Sequence, residues 1–63
     1  MYVRFKRGNV VEKMWVRIHN GNQKVGSGEL ANVPSLLDDH LKLKDPVYYS
    51  TGDDGITREV LDA

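Results

Sequence analysis

The sequence predicts an all-β domain: a small barrel, or a strongly bent antiparallel sheet, of about five strands with one short helical turn. Three observations carry that expectation. Side-chain type alternates with period two through residues 2–7 and 12–18. Asn20-Gly21 and Asp54-Gly55 are hairpin-type dipeptides. The chain is 63 residues long with no cysteine, so one small apolar core must hold it without a disulfide.

The elements follow in order. In residues 2–7, YVRFKR, Val3 and Phe5 point one way and Tyr2, Arg4 and Lys6 the other, as in a half-buried strand. Gly8-Asn9 is a turn whose residues tolerate positive φ. A second strand spans 10–19. Met14, Val16 and Ile18 share its inner face, and Trp15, Arg17 and His19 its outer one. The Val10-Val11 seam, where parity is ambiguous, is a candidate bulge. Asn20-Gly21 then turns the chain into a third strand at 23–31. Gly26 and Gly28 mark a bend there, or a surface for a large side chain to cross, with Trp15 the candidate.

Asn32-Val33-Pro34-Ser35 is a turn in which Asn32 can bond the backbone two residues on. A short helical turn fits 35–41, with Leu37 and Leu41 four apart on one face. Lys44-Asp45-Pro46 leads to a strand at 46–51, with Val47 and Tyr49 inward and Tyr48 outward. Residues 56–61 read either as a strand, with Ile56, Arg58 and Val60 on one face, or as a helix pairing Ile56 with Val60. The Asp-Gly turn before them favours the strand. The expected core is Val3, Phe5, Met14, Val16, Ile18, Leu30, Leu37, Leu41, Val47 and Tyr49.

Composition excludes several functions. Apolar runs reach only three residues, as in Met14-Trp15-Val16, far short of the roughly 20 of a spanning helix. No apolar stretch follows the basic N-terminus, so no secretory signal is read, and the expected location is cytoplasmic. Two histidines without thiolates make a closed zinc shell a poor fit. Asp38-Asp39-His40 and Asp53-Asp54 lack a ligand spacing, and no serine sits in a nucleophile elbow. A barrel this small has little room for a pocket of about 300 Å³. Neither catalysis nor a cofactor is expected.

Charge is balanced overall but split along the chain. Residues 1–24 hold six basic groups and one acidic, residues 25–63 three basic and eight acidic. Either the two halves complement each other, or the first presents a basic face to an anionic partner. The outer faces of the first two strands collect Trp15, Arg17, His19, Arg4 and Lys6, beside Tyr2. The same residues admit a structural reading, in which Trp15 covers the glycine strand and the cations solubilise strand edges.

Three segments carry a resemblance. Glu12-Lys13-Met14-Trp15-Val16 resembles the E-x-M-W-V segment of YegJ-like bacterial proteins, a family of small uncharacterised domains. Gly28-Glu29-Leu30-Ala31-Asn32-Val33-Pro34 resembles its G-x-L-x-N-x-P segment, and Leu41 to Val47 its L-K-x-G-D-x-V segment. Lys44 departs from the family glycine, and GITREVLD replaces an acidic–Asp–Trp ending. The resemblance implies a β-rich domain of SH3-like type and brings no catalytic residues. The leading expectation is a non-enzymatic module that recognises a protein or peptide through the Trp15 face or an open sheet edge. The alternative is a small-barrel nucleic-acid binder using the basic-aromatic strand face.

Overall fold

The computed structural model describes residues 1–61, which form a closed, SH3-like barrel of five strands. They are β1 (Tyr2–Arg7), β2 (Val10–Gly21), β3 (Val25–Leu30), β4 (Pro46–Thr51) and β5 (Thr57–Glu59). Neighbours pair antiparallel, and β5 returns to β1 in parallel through one register pair, Arg4 with Arg58. β2 makes the closure possible. Its residues 10–15 pair with β1 and its residues 16–21 with β3, so one long strand serves both halves. Among the described residues no helix is long and apolar enough to cross a membrane.

The core is as expected at all but one position. Val3, Phe5, Met14, Val16, Leu30, Leu37, Leu41, Val47 and Tyr49 are buried together. Ile18 is the exception, at 38% exposed. It pairs with Gly28, which offers no side chain to pack against, and the next residue interrupts the ladder: Ile18 faces Gly28 but Asn20 faces Ser27. His19 is the extra residue of a bulge, so β2 bends at the point where Ile18 would have continued the inner row. The Val10-Val11 seam is regular instead, facing Arg7 and Lys6.

One turn expectation is corrected, and two others are narrowed. Asn20-Gly21 ends β2 rather than forming the turn. The loop is Asn22-Gln23-Lys24, closed by the Asn22 amide donating to the Val25 carbonyl at 2.9 Å. The Asn22 side-chain oxygen accepts from the amides of Lys24 at 2.8 Å and Val25 at 3.2 Å, the local bonding that makes asparagine a turn residue. The short turn expected at 35–41 is a single turn over 37–41, with the amides of His40 and Leu41 both donating to the Leu37 carbonyl. The tail takes the favoured alternative, a strand, over Thr57–Glu59 within the expected 56–61.

Gly26 and Gly28 are needed, but not for Trp15. A methyl at Gly26 would strike the Tyr49 ring, whose hydroxyl donates to the Asn22 carbonyl at 2.5 Å. A methyl at Gly28 would strike the Arg17 carbonyl and lie 3.0 Å from the Ile18 Cα. The large side chain over the glycine strand is therefore Tyr49, from inside, and the backbone of β2 itself lies over Gly28.

The β3–β4 connection plugs one end of the barrel with Leu37 and Leu41, and Glu12 holds it there. Glu12 has the inward parity of Met14 and Val16, facing Phe5 across the ladder. Its carboxylate accepts from the amides of Ser35, Leu36 and Leu37 at 3.1, 2.8 and 3.0 Å, and from the Ser35 hydroxyl at 3.1 Å. Asn32 adds a second tie, its side-chain oxygen accepting from the Trp15 amide rather than from its own turn, while the Ala31 amide donates to the Trp15 carbonyl.

The amides around Glu12, Ser35 foremost, hold its carboxyl below the ordinary 4.5. A carboxyl depressed on folding contributes stability above its ordinary pKa, and that contribution is lost as pH falls through the folded value. Wild-type stability is therefore expected to decline below about pH 4.5, and Glu12→Gln to be less stable near neutrality with a shallower acid limb. Urea unfolding at stepped pH checks this; parallel curves for the two proteins would contradict it.

Candidate functional site

Strand parity that sends Val3 and Phe5 inward sends Tyr2, Arg4 and Lys6 outward. On β2 it sends Lys13, Trp15 and Arg17 outward. The β1–β2 register then sets Tyr2 against Trp15, Arg4 against Lys13 and Lys6 against Val11. Tyr2 and Trp15 are 51% and 54% exposed, with ring centroids 5.0 Å apart and planes tilted by 45°. Cross-strand aromatic pairs contribute about 0.5–1.5 kcal/mol beyond area burial. Each ring still leaves half its surface in water, in a barrel whose core is complete without them.

Cations continue the surface toward β5. Arg4 faces Lys13 on one side and Arg58 on the other. Like charges set directly opposite repel. Among the described residues no carboxylate pairs with Arg4, Lys6 or Lys13 within 4.0 Å. Arg58 is shared with Asp54 at 2.8 Å, and this contact together with the Ile56 amide holds the Asp54 carboxyl at about 2. Between β1 and β5, which diverge after their single pair, lies an open cleft of about 400 Å³. It is lined by Arg4, Lys6, Gly8, Arg58, Glu59 and Leu61.

Five residues were expected at the site, and the fold divides them. Arg4, Lys6 and Trp15 meet on the β1–β2 face, joined by Tyr2 and Lys13. Arg17 and His19 gather instead about Glu29: Arg17 faces it across the ladder, and His19 Nε2 lies 3.0 Å from its carboxylate. The bulge turns His19 to that position, a feature that strict alternation along β2 does not reveal. Trp15, expected against Gly26 and Gly28 on β3, packs on Tyr2 of β1. Tyr2 and Lys13 were legible from parity, but their union with Trp15 needs the β1–β2 register.

The expected complementarity of the basic and acidic halves takes one partly buried form. Arg7 donates to both Glu59 oxygens, at 2.6 and 3.2 Å, joining β1 to β5 with the Glu59 side chain only 9% exposed. This bidentate contact raises the Arg7 pKa above its ordinary value.

Neither a protein-family model, nor a curated protein, nor a solved structure matches the chain. The chemistry must therefore be read from the surface itself. Among the described residues no three histidine, aspartate or glutamate side chains are grouped to hold a metal ion. A second hollow of about 420 Å³ among Val25, Gly26, Tyr48, Tyr49 and Val60 has no charged side chain in its lining. Both hollows are open surface features rather than enclosed chambers, and they exceed the room expected for so small a barrel. The feature concentrating both aromatic and charged groups is the outer face of β1 and β2, extended by Arg58.

Proposed function

We propose that this domain is a non-enzymatic interaction module of the cytoplasm. It recognises a protein or peptide partner through the outer face of β1 and β2, with Trp15 as anchor. The observation that carries this reading is the half-exposed Trp15–Tyr2 pair on a barrel already filled by other side chains. Exposed aromatics flanked by arginine are the residue types that dominate binding energy at interfaces. Capture by an added strand has less support, because the barrel is closed.

A nucleic-acid partner is the second reading, favoured by the row Lys13–Arg4–Arg58 beside two aromatic rings. Two facts weigh against it: the chain has no net positive charge, and Glu29 offsets the Arg17–His19 half of the basic face.

Kinship with the YegJ-like domains belongs to the same proposal. It is supported by the work the shared segments do in this fold. Glu12 and Asn32 tie the plug to β2, Gly28 admits the β2 backbone, and the Asp45 side chain accepts from the Lys42 amide at 2.9 Å. Lys44 stands where the family carries glycine, and its φ is +71°. On this reading the segments conserve a scaffold, and the contacting surface is particular to each member.

The test is selection of peptides from a random library on the wild-type domain, with a counter-screen on Trp15→Ala. Selected peptides are expected to lose at least about tenfold in affinity on a variant that remains folded, the loss typical of a hot-spot residue. Peptides that bind both proteins equally would remove Trp15 from the interface.

A further inference from the structure

We propose that the cleft between β1 and β5 receives carboxylates, so that the partner of the Tyr2–Trp15 face is an acidic peptide segment carrying an apolar or aromatic residue. The inference rests on the peptide-binding reading and names the chemistry of the peptide.

Arg4 stands in register between Lys13 and Arg58, three cations side by side on adjacent strands. Strand neighbours are about 4.8 Å apart, a spacing at which like charges destabilise a sheet by some tenths of a kcal/mol per pair. Of these three, only Arg58 has an acidic partner among the described residues, Asp54. The one carboxylate in the cleft wall, Glu59, is turned to Arg7 and held by both its oxygens. It does not neutralise Arg4 or Lys6. The fold thus keeps Arg4 and Lys6 without a carboxylate partner in the wall of a concavity of about 400 Å³, an arrangement that an external anion relieves.

The dimensions suit a short peptide. Tyr2 to Lys6 spans about 13 Å along β1, the reach of roughly four extended residues. A segment laid along β1 sets an apolar side chain on the Tyr2–Trp15 rings and its carboxylates over Arg4, Lys6 and Arg58. Leu61 and the open flank of Gly8, where an added methyl would touch nothing, complete the cleft without adding charge. A nucleic-acid strand would fit the same cations but continue beyond them. Next to the row lies Asp54 on the β4–β5 turn, and farther along β2 Glu29 faces Arg17; both would meet further phosphates with like charge. A peptide can confine its charge to the strip.

Trp15 is the only tryptophan, so its fluorescence reports the site directly. The full chain is titrated at about 0.15 M salt with three probes. One is a blocked hexapeptide of acidic residues about a central phenylalanine. The second is its amide counterpart, with every carboxylate replaced by carboxamide. The third is a thymidine decanucleotide. The acidic peptide is expected to bind about tenfold or more tighter than its amide counterpart, as expected for two or three exposed ion pairs. Arg4→Gln and Lys6→Gln are each expected to weaken it about threefold or more, and Lys24→Gln, in the β2–β3 turn, to leave it unchanged. Equal, Trp15-dependent binding of both peptides would overturn the acidic preference and leave the peptide-binding reading standing. Tighter binding of the oligonucleotide, with a steep salt dependence, would overturn both. So would failure of both peptides to perturb Trp15.

Discussion

Phe5→Ala is expected to leave the chain largely unfolded at room temperature. Phe5 is fully buried at the centre of the β1–β2 ladder, among the side chains that close the barrel. Removing a buried phenylalanine costs about 3–5 kcal/mol in lost transfer energy and cavity. A domain this small without staples has about 3–5 kcal/mol in all. Loss and reserve are therefore equal in size, and a chain without cysteine has no disulfide to make up the difference. Far-ultraviolet circular dichroism with a urea titration checks this. A cooperative transition near the wild-type midpoint would contradict it.

Gly28→Ala is expected to be nearly as damaging, by excess rather than deficit. Its cost does not come from a left-handed backbone, which is found at Gly8, Gly21 and Gly55 among the glycines. It comes from the Arg17 carbonyl of the paired strand, which an added methyl would strike. Backbone cannot change rotamer to give way, so β2 or β3 must move where their register already shifts. Overpacking of a closed site costs about 1–3 kcal/mol and occasionally more; with backbone as the obstacle, the upper end is expected. Gly8→Ala is the informative comparison. Its φ is +60°, but nothing lies within 4 Å of the new methyl, so only the left-handed penalty of about 1–2 kcal/mol applies. Urea unfolding is expected to rank Gly28→Ala below Gly8→Ala in stability, and the reverse order would contradict the close approach of β2.

The strands and the seven core residues they carry were legible because burial in a small barrel imposes alternation, which is visible in residue type; Leu37 and Leu41 were legible from their spacing of four. What escaped is what alternation cannot encode. The His19 bulge lies in a run with unbroken parity, so Ile18 reads as core until the ladder is seen to shift after it. Asn20-Gly21 is a strong turn dipeptide, but β2 runs on through it and Asn22 takes the turn by bonding the two amides that follow.

The surface divides in the same way. Each outward residue was assigned correctly along its own strand, yet a face is made by register between strands. That register joins Trp15 to Tyr2 and Arg4 to Lys13, while the bulge sends His19 to Glu29. Glu12 gave the one signal that could have been used. A carboxylate in the inward row with Met14 and Val16 needs partners, and the nearest unpaired amides are those of the turn that follows Pro34.

Trp15 can anchor a partner only if the barrel is complete without it. The free energy of unfolding of Trp15→Ala, from urea titration against wild type, tests this most directly. The expected loss is about 1–2 kcal/mol, the aromatic pair with Tyr2 together with the half-buried ring area, with a cooperative transition and an unchanged dichroism spectrum. A loss of about 3–5 kcal/mol, the cost of truncating a buried tryptophan, would show that Trp15 belongs to the core and that the β1–β2 face has no anchor to offer a partner.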